Sequence, residues 1–281
     1  LRLPTLDPTS PVSRPDLDER RAYVPRGRQE EFIVPLLRSA IEAAVRDAAA
    51  ANAGRPDRRA LDVGCGGQPF RALIEALGYA YTGLDTQAQP GLTLDHVGAI
   101  DGDLPAALLD AASNGPRGGF DLILCTEVLE HVLDWPRAWS NLSRLLATGG
   151  RLVVTCPHVY PLHEEPYDFW RPTMHALRAF AARAGLSVID ERTLGDAFDV
   201  LGTVNAAAAP EAVGRGPGAW VLSRAARRGR KLLHALLRAR WLRRRIMPRS
   251  AAARGGVGDL YLSNFMVLTR NEVAATSGSA P

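Results

Sequence analysis

Between residue 29 and about residue 52, Phe32, Ile33, Leu36, Leu37, Ala40, Ile41, Ala44 and Val45 fall three and four positions apart, the spacing of a helix with one apolar face. Gly54 and Pro56 end that stripe. Downstream the pattern changes. Short apolar runs at residues 60–63, 81–84, 121–125, 151–155, 186–191 and 260–269 predict strands, and the stretches 69–77, 138–147 and 173–184 between them predict helices. Gly78, Gly149 and Gly185 stand at or near the ends of these helices, where a left-handed residue closes the last turn. Alternation of this kind implies an α/β fold, a parallel sheet covered by helices on both faces. There is no internal repeat.

Two stretches break the rhythm. Residues 1–28 are rich in Pro, Arg and Asp without a sustained period and read as a tail or a strap over the surface. Residues 203–258 run from alanines through Gly214, Gly216, Pro217 and Gly218 to Gly255, Gly256 and Gly258, and read as a basic helical insertion before the last strand, after which 271–281 form a C-terminal tail. The whole chain has a net charge of +4, but residues 220–249 hold eleven Lys or Arg and no acid. A mildly acidic body therefore carries one strongly basic segment. Within it Leu232, Leu233, Leu236, Leu237, Trp241 and Leu242 recur at helical spacing among arginines. Three roles are open: a lid helix packing its leucines on the domain, peripheral contact with an anionic membrane at about 1 kcal/mol per nearby Lys or Arg, or binding of nucleic acid or an anionic substrate. An aromatic content of 6% and no recognised RNA-binding motif rank nucleic acid last.

With 46% hydrophobic and 23% charged residues over 281 positions, the chain has the composition of a folded globular protein rather than a disordered or fibrous one. It contains no uncharged apolar run near the ~18–20 residues that span a bilayer. Pro4, Pro8, Pro11 and Pro15 at the start surround no hydrophobic signal core, and a cytoplasmic location is expected, with peripheral membrane contact left open. Cys65, Cys125 and Cys156 are odd in number and form no CxxC pair. They read as small buried residues rather than a disulfide framework or a zinc site.

The run Leu61-Asp62-Val63-Gly64-Cys65-Gly66-Gly67 is a strand entering a glycine turn. Without β-carbons, Gly64 and Gly66 let a ligand lie against the backbone at the carboxyl end of the strand, where open α/β sheets bind ligands. Tyr81-Thr82-Gly83-Leu84-Asp85 places an acid after the next strand, about twenty residues from the loop, where a carboxylate accepts hydrogen bonds from both hydroxyls of a ribose. Pro69 stands near where a dinucleotide fingerprint would want a third glycine, and no Gly-Lys-Ser/Thr follows, which disfavours pyrophosphate binding. These segments, together with Phe120 to Val132 (FDLILCTEVLEHV) and residues 145–154 around Gly149-Gly150, resemble the successive motifs of class I S-adenosylmethionine-dependent methyltransferases. The resemblance covers about residues 29–202 plus the last strand.

What the resemblance implies is a Rossmann-like sheet of seven strands, mostly parallel with the last antiparallel, filling residues 29–202 and 259–270, and S-adenosyl-L-methionine as cofactor. Asp62, Gly64 and Gly66 would surround the methionine portion and Asp85 would hold the ribose. An acid on the third loop would meet the adenine amino group; Asp101 is preferred, with Asp103 a neighbouring possibility. Thr126 and Glu127 would lie beside the cofactor, and Cys65, Thr86 and Gly102 complete the expected contacts.

Methyl transfer to a hydroxyl needs positioning and a base near the carboxyl ends of the fourth and fifth strands. Glu127-x-x-Glu130-His131 is expected to open a helix with all three side chains on one face, an arrangement able to hold a divalent metal. It resembles the ExxEH element of metal-assisted O-methyltransferases acting on RNA ends and on quinone precursors, although many methyltransferases carry EH here without metal, and no metal ligand is assigned. The second cluster spans residues 157–173, with His158, His163, Glu164, Glu165, Asp168 and Arg171 in a proline-punctuated loop. It resembles the HEEPYDFxR loop of bacterial methyltransferases, some associated with saccharide or envelope biosynthesis. His163 is the first candidate base and His131 the second. The expected activity is O-methylation of a small-molecule or saccharide-type acceptor. The alternatives are a metal-assisted RNA methyltransferase using Glu127, Glu130, His131 and His163, and a non-catalytic subunit with a methyltransferase-like fold that acts through its basic segment.

Overall fold

A computed structural model describes residues 21–88, 91–114, 118–208, 217–239 and 260–270. Seven strands, β1 (Arg59–Val63), β2 (Ala80–Asp85), β3 (His96–Val97), β4 (Phe120–Thr126), β5 (Leu146–Pro157), β6 (Leu186–Leu194) and β7 (Ser263–Arg270), form one sheet in the order β3-β2-β1-β4-β5-β7-β6. The pairs among β1 to β5 are parallel, and β7 runs antiparallel to both β5 and β6. The expected Rossmann-like architecture is therefore present, with the last strand inserted antiparallel between two earlier ones.

Side chains alternate through this sheet into two cores. Leu61, Val63, Ile123, Cys125, Leu152 and Val154 face one side, and Ala60, Leu122, Leu124 and Val153 face the other. Helix α1 (Val34–Ala51) covers the second face with Leu37, Ile41, Val45 and Ala48, the apolar stripe seen in the sequence. The first face is closed by α4 (Trp135–Leu145) and α5 (Met174–Arg183) through Trp135, Trp139, Leu142 and Leu177. Helices α2 (Arg71–Ala76) and α3 (Ala106–Ser113) link the first strands. Asp134 caps α4 by accepting the Arg137 N–H, and Thr173 caps α5, each satisfying an amide with no partner within its helix.

Several expectations shift. The predicted helix 138–147 begins and ends earlier, and Leu146 and Ala147 belong to β5. β3, only two residues long, is too short to show a period. Helix α6 (Ala197–Ala207), opened by a reciprocal Asp196–Asp199 capping box, runs across the expected start of the insertion at residue 203. Helix α7 (Pro217–Arg238) turns His234 and Leu237 inward, while Leu232, Leu233 and Leu236 remain exposed. Most of these leucines therefore do not pack as a lid would require. The His234 Nε2 lies 2.9 Å from Glu31 Oε2, and Arg238 pairs with the same carboxylate at 2.8 Å. Trp241, Leu242 and the 271–281 tail lie outside the described residues. No helix among those described is long and apolar enough to cross a membrane. All three cysteines are buried free thiols.

Candidate active site

The parallel register aligns the carboxyl ends of three strands. Val63 pairs with Leu84 on one side and Cys125 on the other, so the residues that follow, Gly64, Asp85 and Thr126, meet at one rim. Gly64 and Gly66 both take positive φ, 66° and 50°, a region that L side chains rarely adopt. A β-carbon on Gly64 would stand 2.4 Å from a Val128 methyl. The loop is tied down by Gly64 N–H donating to the Leu84 carbonyl (2.8 Å) and Gly66 N–H donating to Asp85 Oδ2 (2.9 Å). Asp85 Oδ1 accepts from the Gln87 amide at 3.3 Å.

These residues line a cavity of about 550 Å³, bounded also by Asp62, Cys65, Thr86, Asp101 and Glu127. Of the two acids on the third loop, Asp101 lines the cavity and accepts the Asp134 amide (3.2 Å), whereas the Asp103 side chain is fully exposed and pairs with Arg137. Gly102 is not part of the lining; its carbonyl accepts from Asn141 at 3.2 Å.

Asp62 is buried and accepts from the Tyr81 hydroxyl at 2.8 Å. Burial pushes its carboxyl up to about 7, with the Tyr81 hydrogen bond opposing and the Asp85 charge adding to the shift. A carboxyl with a higher pKa folded than unfolded holds its proton more tightly in the native chain, so stability rises as pH falls through about 7 toward ~4. Asp62→Asn is expected to raise the ligand-free Tm at pH 8 and to remove a gain of about 1 kcal/mol between pH 8 and pH 6. Thermal unfolding at the two pH values checks both.

The cavity lining is also aromatic and titratable. Tyr23, Tyr160 and Phe169 belong to it with His131 and His163. Tyr23 comes from the segment read as a tail or strap and packs on Phe70 at 4.9 Å between ring centroids. The sequence carried no signal for this, because residues 21–30 have no period. After β5 the loop is organised by Asp168, which accepts both Arg171 Nη atoms (2.6 and 2.7 Å) and the His163 amide (2.9 Å). Against its desolvation, these donors hold the Asp168 carboxyl below the usual range. His163 Nδ1 lies 3.3 Å from both the Pro161 carbonyl and Asp168 Oδ2. Burial, and then the neighbouring His131, lower the His163 pKa, favouring the neutral ring.

The ExxEH element does not open a helix. Glu127 adopts a left-handed backbone (φ 53°), and Leu129–His131 form a single 3-10 turn, pinned by the Trp135 indole donating to the Leu129 carbonyl at 2.7 Å. Glu127 is drawn aside, with Ser263 Oγ donating to its Oε1 at 3.1 Å, and burial raises its carboxyl pKa. The expected common face of Glu127, Glu130 and His131 is thus not formed. Instead His163 joins Glu130 and His131, one possible ligand atom from each lying within 4.8 Å of the others.

A family model described as a methyltransferase domain matches residues 36–207. The chain belongs to that family, the class I S-adenosylmethionine-dependent methyltransferases. The ubiquinone biosynthesis O-methyltransferase of Alkalilimnicola ehrlichii is 33% identical over 106 residues, covering 36% of this chain and 42% of the relative. The enzyme of the same name from Caulobacter sp. is 32% identical over 107 residues, covering 34% and 39%. The match thus spans about two fifths of the length of these curated relatives. Among solved structures, a SAM-dependent methyltransferase from Archaeoglobus fulgidus has TM-score 0.47 and 13% identity, covering 83% of this chain and 94% of its own. A magnesium protoporphyrin IX methyltransferase from Synechocystis, solved with bound SAM, has TM-score 0.45 and 13% identity, covering 91% and 90%.

S-adenosyl-L-methionine is the cofactor of this methyltransferase, and the residues present fit it. The Gly64 turn leaves no room for a β-carbon, the Asp85 carboxylate stands at the rim, Asp101 lies further along, and the cavity volume falls within the ~300–1,000 Å³ typical of small-molecule sites.

Proposed function

We propose that this methyltransferase acts on a hydroxyl oxygen of a small, ring-bearing acceptor, a phenol or a saccharide. When bound, the cofactor supplies an electrophilic methyl group on a positively charged sulfur. The chain's own task is to hold the acceptor oxygen in line with that methyl group and to remove its proton. The carrying observation is His163 in the cavity wall, its pKa lowered first by burial and its ring held through Nδ1 by Pro161, Asp168 and Arg171. His163 is the group best placed to take the proton, with His131 beside it at 4.9 Å between ring centroids. Tyr23, Tyr160 and Phe169 offer ring faces to a flat acceptor. The relatives named as O-methyltransferases support oxygen as the accepting atom.

A small acceptor is preferred over nucleic acid because none of the described residues of α7 lines the cavity. The basic helix is a separate surface, exposing Leu232, Leu233 and Leu236 among arginines, and peripheral contact with an anionic membrane is the role this exposure supports. Incubation of the full chain with methyl-labelled cofactor and panels of phenols, saccharides and RNA is expected to label a phenol or saccharide as an alkali-stable ether. Label in RNA alone, or on nitrogen, would contradict the reading.

A further inference from the structure

We propose that the mouth of the cavity and helix α7 form one composite surface that docks on an anionic lipid bilayer, so that the cavity opens toward the membrane. The proposal rests on the membrane contact read above for α7 and deepens it, and it does not depend on which atom of the acceptor is methylated.

The first observation is how the side chains of α7 are distributed. Between residues 224 and 238 they divide into three strips. His234 and Leu237 turn inward, and Arg230 Nη1 donates to the Ala206 and Ala208 carbonyls at the carboxyl end of α6 (3.4 and 3.1 Å), which fixes the helix against α6. On the outside, Ala225, Gly229, Leu232 and Leu236 recur four, three and four residues apart, the spacing of one side of a helix. Leu232 is 63% exposed, and Leu233 and Leu236 are exposed beside it. Arg224, Arg228 and Lys231, also exposed, follow the same spacing one residue behind and so flank the apolar strip. A solvated helix or one that grips phosphates has no use for leucines held in water. They gain only where an apolar phase lies next to negative charge, as at the boundary between anionic headgroups and acyl chains.

The second observation is where α7 is held. Glu31 Oε2 lies 2.9 Å from His234 Nε2 and 2.8 Å from Arg238 Nη1, and the Phe32 ring meets the His234 ring edge-on at 5.1 Å between centroids. Leu237 belongs to the same buried cluster as Phe32, Ile33 and Leu37. Glu30, Ile33, Val34 and Leu37 line the cavity, so the carboxyl end of α7 is clamped to the segment that forms part of the cavity wall. The edge of the opening is apolar as well. Val24 and Leu133 line the cavity and are exposed to water. Leu162, 67% exposed, precedes His163, and exposed Trp170 follows Phe169. The Trp170 indole donates to the Val132 carbonyl at 2.8 Å, which fixes its ring at this edge, and tryptophan is a residue favoured at the membrane–water boundary. An opening edged by water-exposed apolar side chains, with a basic amphipathic helix clamped to its wall, matches the surface of an anionic bilayer in both chemistry and extent.

The test is co-sedimentation of the full chain with vesicles of equal parts phosphatidylglycerol and phosphatidylcholine, against vesicles of phosphatidylcholine alone, with no acceptor present. The expected result is binding to the anionic vesicles at least about 10-fold tighter than to the neutral ones, weakening as salt is raised. The double change Leu232→Ser and Leu236→Ser should weaken that binding about 10-fold or more with the Tm unchanged. Leu162→Glu, at the mouth, should weaken it several-fold, and Val188→Ser, on the edge strand β6, should bind like the parent. No binding to anionic vesicles, or equal binding by the double leucine variant, would overturn the proposal. Leu162→Glu binding as well as the parent would also overturn it, since α7 alone would then make the contact and the mouth would face elsewhere. Polyuridylate bound more tightly than the anionic vesicles, and equally by the leucine variants, would assign the basic strip to nucleic acid instead. Because no acceptor is present, a failure of docking is read separately from a failure of O-methylation.

Discussion

Asp85→Ala is expected to weaken binding of S-adenosylmethionine about 100-fold or more, with little change in the folded structure. The carboxylate closes β2 at the point where the β1 loop turns, and it accepts the Gly66 amide across the crevice. Alanine removes that anchor together with the carboxylate proposed to accept the ribose hydroxyls. Charge-assisted hydrogen bonds contribute about 1.5–3 kcal/mol each, and two of them exceed the roughly 2.7 kcal/mol that a 100-fold change represents. Asp85→Asn should fall between parent and alanine, because the amide keeps one acceptor oxygen without the charge. Calorimetric titration with the cofactor reads the effect directly. An alanine variant that binds as well as the parent would mean that the ribose lies elsewhere.

His163→Ala is expected to lower kcat by about 10²–10⁴, the usual contribution of a positioned proton-transfer group, while cofactor affinity stays within a few-fold of the parent. The contrast with Asp85 follows from placement: Asp85 accepts the glycine-loop amide, whereas His163 belongs to the loop after β5 and packs its ring against Tyr160 and His131. Asp168→Asn should act through His163, since it removes the charge that Arg171 and the His163 amide share. Its expected signature is a smaller fall in kcat with the cofactor Kd unchanged. Equal loss of cofactor binding in the His163 variant would move that residue out of the acceptor region. Methylation kinetics at saturating cofactor, paired with calorimetry, separate the cases.

The sheet and the cofactor rim were legible from sequence because both are local. Strands buried on two faces are continuous apolar runs, and the glycine loop and Asp85 lie at fixed distances from their own strands. The choice between Asp101 and Asp103 stayed open from sequence; in the structure Asp101 lines the cavity and Arg137 holds Asp103 outside it. The acceptor side was less legible because tertiary contacts build it. Glu127 and Glu130 are three apart, and helical spacing would put them on one face with His131, yet the left-handed backbone at Glu127 and the bond to Ser263 leave Glu127 out of the group that Glu130 forms with His131 and His163. His163 reaches Glu130 only because Asp168 and Arg171 fold its loop back over β5. Tyr23 arrives from a segment without any period. In α7 the helical spacing of leucines was correct, but the choice of buried face fell to His234 and Leu237, which the Glu31 ion pair draws inward.

The most direct test of the central claim is transfer of a labelled methyl group from S-adenosylmethionine by the full chain to a phenolic or saccharide acceptor, with the product's new bond assigned by mass spectrometry and NMR. The account predicts an O-methyl ether whose formation falls about 100-fold or more in the Asp85→Ala variant at low cofactor concentration and in the His163→Ala variant at any cofactor concentration. Methyl transfer to nitrogen, sulfur or carbon, or undiminished ether formation by the His163→Ala variant, would contradict it.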